Sequence, residues 1–205
     1  RVDAAKIGMV GQAPVIREVA DRIAHWQPPH VVLDPVMIAK SGDALLEKAA
    51  VGAMLEALLP CATVLTPNLP EAGVLLGERA PENLKEMRRA AERLRERMTH
   101  AGPRWVVLKG GHLSHGDAID LVTDGDRMIE LALPRVDTKN THGTGCTLSA
   151  AIAALLPQSP DAPTAIRRAK DYLAGALAAA DRLDVGRGHG PVHHFHALWQ
   201  MGSEL

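Results

Sequence analysis

Three short apolar runs, each meeting a polar residue at or just after its end, constrain the fold of this chain most strongly. They are His-Val-Val-Leu-Asp-Pro-Val over 30–36, Ala-Thr-Val-Leu-Thr over 62–66, and Trp-Val-Val-Leu over 105–108, which leads into Lys109. Near-continuous apolar runs of this kind suit strands buried on both faces, as in a parallel sheet. Residues 4–10 read as a further short strand. Helical patterns cover 14–26, 44–59, 71–76 and 83–98 between these runs. Pro14 suits a first helical turn, Pro60 ends the second helix and Gly77 closes the third. Residues 118–123 and 127–133 read as two antiparallel strands joined by Asp124-Gly125-Asp126. Helices over 144–156 and 163–182 follow, then a tail from Gly186 rich in Gly and His. Alternating strands and helices predict an α/β fold with a mostly parallel central sheet, in a single domain over 1–205.

Bulk properties narrow the function classes. Of the 205 residues, 46% are hydrophobic, which is enough for one domain with a large core. A net charge of −1, from 23 basic and 24 acidic side chains, argues against a nucleic-acid surface or an anionic membrane partner. No apolar run reaches membrane-spanning length. Cys61 and Cys146 lie far apart, which fits a reducing cytoplasm better than a disulfide scaffold. The chain begins at Arg1, without an initiator Met and close to its first strand. It is therefore expected either to have been processed or to continue a longer N-terminus.

In open parallel sheets, ligands bind at the carboxyl ends of the strands. Polar residues gather there: Asp34 ends one strand, Thr66 and Asn68 follow the next, and Lys109 follows a third. A fourth contribution is the segment Asn140-Thr-His-Gly-Thr-Gly-Cys-Thr-Leu-Ser149, in which Gly143 and Gly145 sit at the start of an Ala/Leu-rich helix. The first helical turn carries N–H groups without internal partners and the positive end of the macrodipole. Glycines let a phosphate approach that backbone closely. The loop matches neither the P-loop nor the dinucleotide fingerprint, and on local grounds it is equally a simple turn. Cys146 has two readings, a small buried packing residue or a reactive thiol beside the positive end of a helix. Asp34 is either a turn residue before Pro35 or a ligand for Mg2+, and Glu71 is either a first-turn acid or a second ligand. Lys109 is either a solvated lysine or a phosphate contact. The histidines of the tail have no Cys or acidic partner at metal-ligand spacing and read as solvated.

Several of these segments together resemble the hydroxymethylpyrimidine/phosphomethylpyrimidine kinases of thiamine biosynthesis, within the ribokinase-like superfamily. They are Lys6-Ile-Gly-Met9, Asp34-Pro-Val-Met-Ile-Ala-Lys-Ser-Gly42, Thr66-Pro-Asn-Leu-Pro-Glu-Ala72, Leu108-Lys-Gly-Gly-His112, the 140–149 segment and Gly188-His-Gly-Pro191. The resemblance runs in order along essentially the whole chain. It implies a ribokinase-like αβα sandwich and ATP- and Mg2+-dependent phosphorylation of 4-amino-5-hydroxymethyl-2-methylpyrimidine, then of its monophosphate. It also implies a homodimer. By the same resemblance, Cys146 takes the base position, and Gly143, Thr144 and Gly145 form the anion hole. Asp34, Thr66, Asn68 and Glu71 fall near the metal and the phosphates, and Lys109 contacts the nucleotide. Met9, Val36 and Asp34 line the substrate side. The family's N-terminal segment, with a glutamine that reads the pyrimidine edge, has no counterpart here. The substrate half of the pocket is thus expected to be incomplete and the ATP half almost whole. A pyridoxal kinase of the same superfamily and a non-catalytic fragment are the alternatives.

Overall fold

The computed structural model describes residues 1–37, 46–111 and 118–200. Strands β1 (Ala5–Ile7), β2 (Val31–Leu33), β3 (Val64–Leu65) and β4 (Trp105–Leu108) pair in parallel, in chain order. Strands β5 (Ala118–Thr123) and β6 (Met128–Leu133) complete a six-stranded sheet by antiparallel pairing. Helices α1 (Ala13–Trp26), α2 (Lys48–Ala53), α3 (Leu69–Leu76) and α4 (Leu84–Arg97) lie in the crossovers between the parallel strands.

Successive strand residues face opposite sides, so each apolar run feeds two cores. Val31, Leu33, Leu65, Val106 and Leu108 pack with α1 to α4. Val32, Val64, Trp105 and Val107 pack against α5 (Thr144–Leu155) and α6 (Ala162–Ala178). These two cores make the three layers of an αβα sandwich and explain why the central runs do not alternate with polar residues.

Local signals set the element ends. Pro14 occupies the first turn of α1, and Gly77 closes α3 in the left-handed conformation at φ 72°. The Asn83 and Asp161 side chains cap α4 and α6 by accepting backbone N–H bonds. The helix expected over 44–59 is described from Lys48; residues 44 and 45 lie outside the described residues. It passes through a widened turn at Met54–Leu58 and a tight turn at Leu59–Cys61. Pro60, which has no N–H to give the ladder, sits inside that last turn. The strand expected over 30–36 stops at Leu33, just before Asp34 and Pro35.

Two further features differ from expectation. The tail forms a short helix, α7 (His196–Gln200). His193 is 1% exposed and stacks edge-on against Trp199, with ring centroids 4.5 Å apart. Burial against an aromatic ring, rather than hydration, accommodates this imidazole. No helix among the described residues is long and apolar enough to cross a membrane.

A buried ion pair joins the second core to the strand ends. Lys170 of α6 lies 2.9 Å from Asp120 Oδ2, and its ammonium also donates to the carbonyls of Ala118 and Leu131. Asp120 Oδ1 in turn accepts the N–H of Gly110 at 2.9 Å. Both charges are therefore fully partnered, as burial demands. The backbone immediately after Lys109 is held by the same pair.

Candidate active site

Asp34 is the hub of the strand ends. It leaves the sheet directly after β2 and is only 1% exposed. Its Oδ1 accepts from Lys109 Nζ at 3.0 Å and from Thr66 Oγ1 at 3.2 Å. Its Oδ2 lies 3.1 Å from Ser149 Oγ and 3.8 Å from Lys6 Nζ. Two ammoniums and two hydroxyls thus replace the water this carboxylate loses.

Lys109 extends the cluster in two directions. Its ammonium is 4.0 Å from Glu71 Oε2. It also lies against the first turn of α5, since a Cβ on Gly145 would sit 3.2 Å from Lys109 Nζ. An isolated parallel bridge between Asn68 and Lys109, just beyond the ends of β3 and β4, fixes the lysine's backbone beside the start of α3. There Asn68 Oδ1 accepts the Glu71 N–H at 2.8 Å, and Glu71 Oε2 accepts the Asn68 N–H at 2.7 Å. This reciprocal cap makes Glu71 both a first-turn acid and, at 3% exposed, a buried carboxylate of the site.

Burial pushes the Glu71 carboxyl above its ordinary value, against the opposing pull of Lys109 and the Asn68 N–H, and Asp34 adds to the rise. In acid the group is neutral whether the chain is folded or unfolded. As pH rises, the unfolded carboxyl ionises first, so the folded state loses stability between the ordinary and the raised value. Glu71→Gln, which keeps an oxygen for the Asn68 N–H, is expected to melt higher than the unmutated chain at about pH 7, with the gap closing toward about pH 3. Melting curves across that range check this; a lower melting temperature at neutral pH contradicts it.

The glycine segment is a turn that opens a helix. Gly143 caps α5 at φ 79°, a conformation side chains rarely adopt. The first intrahelical bond runs from the Thr147 N–H to the Gly143 carbonyl at 2.8 Å. The amides of Thr144, Gly145 and Cys146 therefore have no partner within the helix. Cys146 is exposed, which sets aside its reading as a packing residue. The tail braces this turn: the His142 N–H donates to the Gly190 carbonyl at 3.0 Å, and Thr147 Oγ1 lies 3.1 Å from His194 Nε2.

The structure thus gathers Asp34, Thr66, Asn68, Glu71 and Lys109 through direct contacts, with Gly145 beside the Lys109 ammonium and Gly143, Thr144 and Cys146 on the same helix start. Met9 and Val36 follow β1 and β2; Met9 is 60% exposed and Val36 half-buried. Residues 38–42 and His112 of the quoted segments lie outside the described residues. Sequence reasoning gave no role to two members. Lys6 was visible as a lysine within an apolar strand, and Ser149 as a hydroxyl one turn into α5.

Two buried carboxylates, Asp34 and Glu71, form a hard oxygen pair of the kind Mg2+ takes alongside water and phosphate oxygens. Among the described residues no group of three or more His, Cys, Asp or Glu is placed to enclose a metal. An ion held by these two carboxylates would take further ligands from water and phosphate oxygens.

The model of a family described as phosphomethylpyrimidine kinase matches residues 1–193. The hydroxymethylpyrimidine/phosphomethylpyrimidine kinase of Rhizobium meliloti (strain 1021) is 48% identical over 199 residues, covering 97% of this chain and 73% of that protein. An ADP complex of Bacillus subtilis pyridoxal kinase superposes with a TM-score of 0.85 at 34% identity, covering 97% of this chain and 71% of the other. The phosphomethylpyrimidine kinase of Clostridium difficile 630 superposes with a TM-score of 0.72 at 33% identity, covering 85% and 69%.

Proposed function

Because the chain belongs to the phosphomethylpyrimidine kinase family, we propose that it transfers the γ-phosphoryl group of ATP to hydroxymethylpyrimidine and then to the resulting monophosphate. The observation that carries this reading is the convergence of Asp34, Glu71 and Lys109 on the open helix start that bears the exposed Cys146 thiol.

Phosphoryl transfer asks a protein mainly for positioning and for charge stabilisation. In the first transfer the hydroxyl oxygen attacks the γ-phosphorus, and ADP departs with the electron pair of the broken bond. Cys146 takes the hydroxyl proton. The amides of Thr144, Gly145 and Cys146, at the positive end of α5, hold the equatorial oxygens of the transferring group, and Gly143 supplies the turn that aims them. Lys109 contacts the nucleotide phosphates, as its place against Gly145 supports. Thr66 orients Asp34, and Asn68 orients Glu71, each through the bond described above. Asp34 and Glu71 would hold Mg2+, which when bound screens the phosphate charge. Met9 and Val36 form walls of the ring pocket, with Asp34 at its base. A cytoplasmic homodimer belongs to the same proposal.

The closeness in shape to a pyridoxal kinase supports a second acceptor, pyridoxal. The higher sequence identity to the Rhizobium pyrimidine kinase favours the pyrimidine. Steady-state kcat/KM on the two alcohols separates them. The pyrimidine is expected to be preferred by at least about tenfold, the scale of one well-placed ring contact; a preference for pyridoxal overturns the assignment.

A further inference from the structure

The two acceptors of this reaction differ greatly in charge. The hydroxymethyl group is neutral, whereas its phosphate ester carries between about one and a half and two negative charges near neutrality. Bringing that ester up to the γ-phosphate of ATP juxtaposes two anions, so the second transfer needs a cation on the acceptor side that the first does not.

Lys109 is not placed for that task, because it directly follows β4 and lies against the start of α5. Lys6 lies across Asp34 from it, on β1, the strand that leads to Met9. Asp34 separates the two lysines: Oδ1 takes Lys109 at 3.0 Å, and Oδ2 faces Lys6 at 3.8 Å. The Lys6 side chain reaches forward over Gly8, where a Cβ would come within 2.5 Å of its Nζ. Its ammonium therefore stands at the carboxyl end of β1. At 22% exposed it is reachable, and the 3.8 Å contact is too long for a hydrogen bond. Among the described residues its three donors are thus left available for an anion.

We propose that Lys6 is the specificity residue for the second phosphorylation, receiving the acceptor's phosphate group across Asp34 from the nucleotide; this rests on the pyrimidine kinase reading. In that step an oxygen of the ester phosphate attacks the γ-phosphorus. The bond from the γ-phosphorus to the β-phosphate oxygen breaks, and its electron pair leaves on ADP. A phosphoanhydride forms, and no proton need be removed, because the attacking oxygen is already anionic.

The test compares kcat/KM for hydroxymethylpyrimidine and for its monophosphate within single preparations of the unmutated chain, Lys6→Gln and Lys6→Arg. Lys6→Gln is expected to reduce the monophosphate value by at least about tenfold more than the alcohol value, chiefly through KM, and Lys6→Arg to restore most of the ratio. Measuring both acceptors on one preparation cancels any misfolded fraction. An unchanged ratio overturns the proposal and leaves Lys6 as a counter-ion of Asp34 alone. A second measurement needs no substitution: the monophosphate, but not the alcohol, protects Lys6 from acetylation, read by peptide mass spectrometry. Equal protection by both, or by neither, overturns the proposal. An unmutated chain that phosphorylates pyridoxal and neither pyrimidine overturns the underlying reading instead.

Discussion

Cys146→Ala is expected to lower turnover of hydroxymethylpyrimidine by about 100- to 10,000-fold, the usual contribution of a positioned general base. The dissociation constant for ATP is expected to change little, since the helix-start amides and Lys109 are untouched. The thiol is exposed at the first turn of α5, next in sequence to Gly145, beside which the Lys109 ammonium lies. A neutral hydroxyl must shed its proton as it attacks. An ester phosphate near neutrality has already shed one, so the same substitution is expected to cost the second transfer less than about tenfold. Cys146→Asp restores a base of another kind and is expected to recover part of the first transfer. Rates on both acceptors check this. Unchanged turnover of the alcohol removes Cys146 from the base position. Together with Lys6→Gln, the substitution is expected to separate the two transfers in opposite directions, one lysine serving the charged acceptor and one thiol the neutral one.

Asp34→Ala is expected to reduce both transfers by at least about 100-fold and to lower the free energy of unfolding by about 3–5 kcal/mol, the scale for removing one partner of a buried pair. Asp34 is the shared counter-ion of Lys6 and Lys109 and also receives Thr66 Oγ1 and Ser149 Oγ. Without it, two ammoniums face each other and two hydroxyls lose an acceptor. Urea unfolding gives the stability and steady-state kinetics the activity. A variant with either at the unmutated level contradicts the hub role given to this carboxylate.

The chain's own residues explain how much of this was legible beforehand. The runs ending at Leu33 and Leu108 revealed the central strands because both faces of the sheet are covered, leaving no alternation to confuse with a half-solvated strand. The carboxyl end of a buried strand is also where a polar residue stands out against its neighbours, so Asp34 and Lys109 were visible as site members. Lys6 was harder to place, because it sits within its strand and reaches the site only by extending over Gly8. Ser149 lies in an Ala/Leu-rich helix, where a lone hydroxyl usually bonds its own backbone, and here it also lies within hydrogen-bond distance of Gly145 O. Cys146 was ambiguous because the residue type favours burial, whereas its place at a helix start facing the strand ends exposes it. The tail showed only its composition. Its bracing contacts to His142 and Thr147 depend on tertiary packing that no local pattern encodes.

The most direct measurement of the central claim is a phosphorus NMR time course of the chain with hydroxymethylpyrimidine, excess ATP and Mg2+. The account predicts a phosphate monoester signal that rises and then gives way to a diphosphate, with two ADP formed per pyrimidine consumed. A spectrum in which ATP persists and no pyrimidine ester appears, while pyridoxal under the same conditions is phosphorylated, contradicts it.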